Sequence, residues 1–217
     1  MQLENVAAKR SKSHQKYMVN GVLVPGVTTV LGVLAKPALV PWANNLGLQG
    51  IKVGNYVDVL ALVGTTGHDM ICCHLENRKF DPGDLSPDLI DKAENCFLSY
   101  LTWEKQHKVE PILCEAQLVS STHRFGGTID FYGKIDGVLT LKDFKTGKAI
   151  YDEMLYQVAA YKQLIMEAGH QVDAVGILQI GRDETEGFSE RVISDCSKEW
   201  EIFLHALSIY NLRKKNG

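Results

Sequence analysis

Residues 115–145 read EAQLVSSTHRFGGTIDFYGKIDGVLTLKDFK, and their periodicity decides the fold. Apolar and polar residues alternate through Ile112–Leu118, Ile129–Ile135 and Val138–Lys145, which is the pattern of half-buried strands. Asp136-Gly137 between two such runs is a two-residue hairpin turn, because both residues tolerate positive φ. That turn fixes a register in which Asp130 lies across from Asp143, with Cβ atoms roughly 5 Å apart. Lys145 lies two residues beyond Asp143 and shares its face. With Ser121–Arg124 as the loop of the preceding hairpin, Glu115 falls beside Asp130. The opposite face then collects Ile112, Cys114, Ala116, Leu118, Ile129, Phe131 and Phe144, and a slip of one residue would scatter that set.

Working outward, Tyr17–Val24 reads as a short hairpin turning at Asn20-Gly21. Val27–Gly47 is apolar and helical, interrupted at Pro37 and Pro41. A long helix is expected over Asn55–Glu76, kinked at Gly64 or Gly67, and another over Leu89–Gln106. Beyond the three strands come a helix over Leu155–Ala168 closed by Gly169, strands at Val172–Ile180 and Phe188–Ile193, and a helix over Trp200–Leu212. This order predicts an α/β (α+β) fold with a mixed central sheet flanked by helices. One domain spanning 1–217 is expected. It divides into an N-terminal arm and helical region (1–50), a core (55–195) and a C-terminal helix (196–217).

Like charges directly opposed on a sheet repel, so a row of carboxylates calls for a cation. Oxygen donors in such number suit a hard divalent ion, magnesium or manganese. The Lys145 ammonium beside it can stabilise a developing oxyanion. A metal, a lysine and a surface cleft together suggest phosphodiester hydrolysis. The alternative is a solvated strand face whose acids pair weakly with lysines. His68 lies on the inward stripe of its helix with Ile71, Cys72 and Leu75, and its imidazole can complete the coordination of the same ion. Gln157 and Tyr161, four apart on the helix after Lys145, share a face and offer an amide and a phenol to a nucleotide backbone.

Rival motifs fail on spacing. Lys145-Thr146-Gly147-Lys148 lacks the leading glycine of a phosphate loop, since position 142 is lysine. No serine sits in a nucleophile elbow. The adjacent His68, Cys72, Cys73 and His74 cannot all reach one tetrahedral zinc. Composition excludes other classes. With 217 residues, 45% apolar and 23% charged, the chain is neither disordered nor a small disulfide scaffold. A net charge of -3 speaks against a cationic nucleic-acid coat. Neither a membrane span nor a signal peptide is expected, and five irregularly spaced cysteines point to a reducing, cytoplasmic setting.

Gly64-Thr65-Thr66-Gly67-His68, Gly127-Thr128-Ile129-Asp130, Asp143-Phe144-Lys145 and Gln157-x-x-x-Tyr161 resemble, in order and spacing, the motifs of the PD-(D/E)XK nuclease superfamily. The closer likeness is to its RecB-like and phage exonuclease branch. It covers about residues 60–165, and Val24–Leu31 through Trp42 also resembles the N-terminal part of phage-encoded members. Ile129 replaces the proline of the superfamily name. The resemblance implies a restriction-endonuclease-like core and a DNA exonuclease of phage or bacterial recombination and repair. It implies His68, Asp130, Asp143 and the Phe144 carbonyl as metal ligands, with Glu115 less certain among them. It implies Lys145 as the catalytic lysine, and Gln157 and Tyr161 as residues that contact DNA or order the site. Relatives with an iron–sulfur cluster carry cysteines near the C-terminus; only Cys196 lies there, so no cluster is expected. Expected partners are single- or double-stranded DNA, and a helicase, a recombination protein or a second copy of the chain. Basic residues of the N-terminal arm (Lys9, Arg10, Lys12, Lys16), Lys142, Lys145, Lys148 and Arg213–Lys215 would guide the backbone. A non-catalytic nucleic-acid-binding or scaffold protein on the same fold, or a phosphoesterase acting on a small nucleotide, are the competing readings.

Overall fold

Both two-residue turns form as expected. Asn20 and Gly21 lie at φ 51° and 75°, and Asp136 and Gly137 at 52° and 85°, the left-handed pair that suits the twist of a hairpin. The computed structural model describes residues 16–147 and 149–215. The expected N-terminal arm, apart from Lys16, and Lys148 lie outside these residues. The first turn joins β1 (Tyr17–Val19) to β2 (Val22–Val24). Helices α1 (Val27–Leu31), α2 (Leu39–Leu48), α3 (Val53–Leu75) and α4 (Pro87–Glu104) follow. Then come β3 (Val109–Ser120), β4 (Phe125–Ile135), β5 (Val138–Lys145), α5 (Asp152–Glu167), β6 (Ala174–Ile180), β7 (Phe188–Ile193) and α6 (Ser197–Lys215).

The main sheet has the order β3-β4-β5-β6-β7. Only β5 and β6 run parallel. A parallel pair needs a long crossover, and α5 supplies it. Helices cover both faces. On one side Val30, Leu31, Leu164 and Phe203 of α1, α5 and α6 pack on Phe125, Ile129, Tyr132 and Leu141. On the other, Val63, Ile71, Tyr100 and Trp103 of α3 and α4 pack on Phe131, Phe144 and Leu178. Each such side chain, fully buried, contributes roughly 1.5–3 kcal/mol. The sheet is therefore held from both sides, and what lies along its strands is positioned rigidly.

The strand registers are those read from the turns, with one informative interruption. Phe131 pairs with Lys142 and Tyr132 with Leu141 across β4–β5, and Ala116 with Ile129 and Cys114 with Phe131 across β3–β4. The β3–β4 ladder skips Asp130, and the β4–β5 ladder ends at Phe131, just short of it. The expected single apolar face is corrected here. Leu118 and Ile129 face the α5–α6 core, whereas Cys114, Phe131 and Phe144 face the α3–α4 core. In a regular strand Ile129 and Phe131 would share a side. The break falls where the β3–β4 ladder skips Asp130, and across from it Glu115 adopts φ 46°. A further register shift between Pro111 and Leu113 leaves Ile112 unpaired, 48% exposed rather than facing a core.

Other expectations shift at helix ends. Residues 27–47 are helical with the expected interruption at Pro37, which lies between α1 and α2, but without one at Pro41. Pro41 lies inside the first turn of α2, where its missing N–H costs no hydrogen bond. α3 runs from Val53 to Leu75 without a break at Gly64 or Gly67. Those glycines instead permit close approach: a Cβ at Gly64 would lie 3.0 Å from Thr146 Oγ1, and one at Gly67 3.0 Å from Cys96 Cβ. Among the described residues no helix is long and apolar enough to cross a membrane. All five cysteines are free.

Candidate metal centre

Three elements bring the acidic row together. β5 carries Asp143 and Lys145, β4 carries Asp130, β3 carries Glu115, and α3 lays His68 over them. His68 Nδ1 lies 3.6 Å from Asp130 Oδ1 and 3.6 Å from Glu115 Oε1. One donor atom from each of His68, Glu115 and Asp130 falls within 4.8 Å of the other two. This is a candidate metal-binding triad of one imidazole and two carboxylates, donors that a hard or borderline divalent cation accepts.

Local strain builds part of this geometry. Glu115 is the residue whose left-handed φ breaks the strand, a conformation costly for a side-chain-bearing residue. Asp130 is held from below: its Oδ2 accepts a 2.7 Å hydrogen bond from the Phe144 N–H. The carboxylate thus ties β4 to β5 just past the end of their ladder, leaving Oδ1 toward His68.

Asp143 is set apart. It is 1% exposed, and neither carboxylate oxygen accepts a hydrogen bond of acceptable geometry. Its one close contact is an ion pair, with Lys145 Nζ 2.5 Å from Oδ2. Buried polar atoms in folded proteins are normally satisfied, so a buried carboxylate answered by one ammonium at Oδ2, with no partner at Oδ1, can accept a further cation. Burial, reinforced by the charge on Asp130 and opposed by Lys145, pushes the Asp143 carboxyl up to about 7. The neighbouring Asp130 moves the other way. Burial opposes its charge, but His68, Lys145 and the Phe144 N–H outweigh burial and hold it below the usual carboxylate range. For His68, burial is likewise overcome by Asp130 and Glu115, which raise the imidazole to about 10. Lys145 is raised by Asp143 and Asp130 against its own burial. Without a metal, protons on His68 and Lys145 balance the acids. An imidazolium is no metal donor, so a cation must displace that proton.

The helical pair shares a face, as its spacing of four implies. Gln157 Nε2 donates a 2.7 Å hydrogen bond to Tyr161 Oη. Tyr161 is 5% exposed, and its ring lies against Gly127, where any Cβ would come within 2.5 Å of Cε1. Gln157 lines a cavity of about 200 Å³ together with Lys145, Lys36, Thr28 and Tyr151. Lys142, expected to guide a nucleic-acid backbone, is 2% exposed and bonded to Glu190 on the far side of the sheet, so it cannot do so. Alternation along β5 turns it away from Asp143.

Sequence reasoning missed Tyr17. Its hydroxyl lies 2.9 Å from Thr128 Oγ1, and its ring covers Gly126 so closely that a Cβ there would approach to 2.4 Å. β4 just before Asp130 is therefore clamped between Tyr17 and Tyr161. The Gly126-Gly127 doublet, two adjacent residues without side chains in a buried strand, was the available signal.

No family model and no curated protein sequence matches the chain. Among solved structures, SSO0001 aligns with a TM-score of 0.46 at 13% identity, over 95% of this chain and 82% of that one. The alkaline exonuclease LHK-Exo of Laribacter hongkongensis aligns with a TM-score of 0.40 at 12% identity, over 88% of this chain and 92% of its own. LHK-Exo in complex with dAMP aligns with a TM-score of 0.34 at 15% identity, over 70% of this chain and 84% of its own.

Proposed function

We propose that the chain is a divalent-metal-dependent deoxyribonuclease, an exonuclease in preference to an endonuclease, acting on phosphodiester bonds as one nuclease domain. The observation that carries this reading is the Asp143 carboxylate, buried without a hydrogen bond beside Lys145 and the triad. Lys145 answers one oxygen of this carboxylate, and the other has no partner among the described residues.

His68, Glu115 and Asp130 would hold magnesium or manganese, with Asp143 and the Phe144 carbonyl completing the set. A divalent ion bound there supplies Lewis acidity toward a phosphate oxygen and acidifies water. The protein's own groups supply the rest. Lys145 places its ammonium where negative charge grows on the phosphoryl group as water adds and the P–O ester bond breaks. The water's proton leaves to solvent, the departing oxygen takes one from solvent, and the products are a phosphate monoester and a free hydroxyl. Asp143 keeps the Lys145 ammonium charged and oriented. The Phe144 N–H keeps Asp130 in place, so little reorganisation accompanies the reaction. Gln157, beside Lys145 in the small cavity, is positioned to meet the nucleotide backbone, and Tyr161 orients it.

The test uses end-labelled single- and double-stranded DNA, linear and circular, with magnesium, manganese or EDTA, and the Lys145→Ala variant. Metal-dependent loss of linear but not circular DNA, absent in the variant, is the expected result. Cutting of circles would make the enzyme an endonuclease on the same chemistry. A folded protein that binds DNA and cuts none would be a binding or scaffold protein.

A further inference from the structure

A groove of about 730 Å³ lies outside the metal centre, between the N-terminal half of α3 and the β6–β7 turn. Leu60 and Val63 line its apolar floor, and Lys52 and Arg182 stand on opposite sides. Neither cation has an ion-pair partner among the described residues. The acids nearby are turned into the loop. Asp183 Oδ1 accepts the Thr185 and Glu186 N–H groups, and Glu186 Oε2 accepts the Arg182 N–H. Tyr56 lines the groove, and the Trp42 ring lies beyond it with ring centroids 6.2 Å apart; the two are 38% and 37% exposed. Trp42 belongs to α2, an apolar helix with no buried residue.

The groove shares an element with the metal centre. Leu60 of the groove floor and His68 of the triad both belong to α3, so one helix fixes the distance between the two sites. From Tyr56 to His68 the axis rises about 18 Å, or roughly five stacked nucleotides at 3.4 Å per step. Exposed rings beside unpaired cations over an apolar floor are the chemistry of unpaired nucleic acid: bases stack on the rings and phosphates meet the cations.

We propose that this groove holds the single-stranded portion of the substrate a few nucleotides from the scissile bond. The proposal rests on the nuclease reading, and it makes an unpaired strand the preferred substrate. Tyr56 and Trp42 are the stacking platform, and Lys52 and Arg182 the phosphate contacts.

Two measurements test it separately from catalysis. The first is binding of fluorescent 12-nucleotide oligo(dT) in EDTA, read by anisotropy. Base–aromatic stacking is worth about 1–3 kcal/mol, so Tyr56→Ala should weaken binding roughly 10-fold. Lys52→Ala with Arg182→Ala should weaken it further and flatten its salt dependence, and Tyr56→Phe should bind as the parent does. Unlabelled single strand should compete at least ten times better than a blunt duplex of equal length. The second is cleavage of 3- and 12-nucleotide strands. The parent should show a lower KM for the longer strand, and Tyr56→Ala should lose that advantage. Unchanged oligo(dT) affinity in folded Tyr56→Ala, or a duplex that competes equally, overturns the proposal. Because binding is read in EDTA, a protein that cuts nothing still decides the matter, and failure of the nuclease reading is seen only in the cleavage arm.

Discussion

Lys142 and Asp143 are neighbours on β5, and both are almost wholly buried, at 2% and 1% exposure. They point to opposite faces of the sheet and meet opposite fates. Lys142 is satisfied: its ammonium bonds Glu190 and lies 5.7 Å from the Trp103 ring centroid, and Glu190 also accepts a 3.0 Å bond from Trp103 Nε1. Asp143 faces Asp130 and His68 with no hydrogen bond of its own. A buried charge costs several kcal/mol unless paired. Where the fold supplies the whole complement, the charge is architecture. Where it withholds part, the gap is reserved for something that binds.

The sharpest way to break this comparison is to neutralise each member. Asp143→Asn and Lys145→Ala should each lower DNA cleavage by about 10²–10³-fold or more, measured as initial rates, while circular dichroism shows the fold intact. An Asp143→Asn protein cutting within tenfold of the parent would erase the distinction between the two faces. Lys142→Met should act on stability instead. It strands Glu190 and should cost about 3 kcal/mol in urea unfolding, with cleavage per folded molecule unchanged. Adding Glu190→Gln should recover most of the loss, since two neutral partners no longer leave a charge unpaired.

The remaining predictions sharpen the comparison by smaller amounts. Magnesium at a hundredfold excess over its dissociation constant should stabilise the parent by about 2.7 kcal/mol. Asp143→Asn should lose most of that gain in thermal melts, whereas Lys142→Met should keep it. Glu115→Gly should relieve the backbone at φ 46° and raise metal-free stability by about 1 kcal/mol, while lowering cleavage. The smallest effect is a pH dependence. Although burial opposes it, the bonds and charge from Lys142 and the Trp103 bond hold the Glu190 carboxyl below its ordinary value of 4.5. Its contribution is therefore fully present above about 4.5 and is lost as pH falls through the lower folded value. Glu190→Gln should show less of the parent's decline in urea midpoint between about pH 5 and pH 3, from a lower starting stability.

The legible and illegible parts divide along physical lines. The registers around Asp136-Gly137 and Ser121–Arg124 could be read because turn chemistry and period act over a few residues. Asp130, Asp143 and Lys145 followed from them. The left-handed Glu115 could not be read, because nothing in Cys114-Glu115-Ala116 favours that conformation; its side chain meets His68 of α3, far away in the chain. Tyr17 was hidden for the same reason. It lies 111 residues from its partner Thr128, and a hydrogen bond at that separation leaves no local pattern. Lys142 looked like a surface cation because alternation assigns a face without saying that the face is covered by Trp103.

By itself the sequence determined the mixed sheet, the strand registers and the row of acids with its lysine, since these depend on local turns and on the two-residue repeat of a strand. Only the tertiary structure decided which buried charges are answered and which are left open. That depends on which helix covers each face, and so on packing between residues far apart in the chain. Lys142 found Glu190 across the sheet, while Asp143 found only Lys145 two residues away.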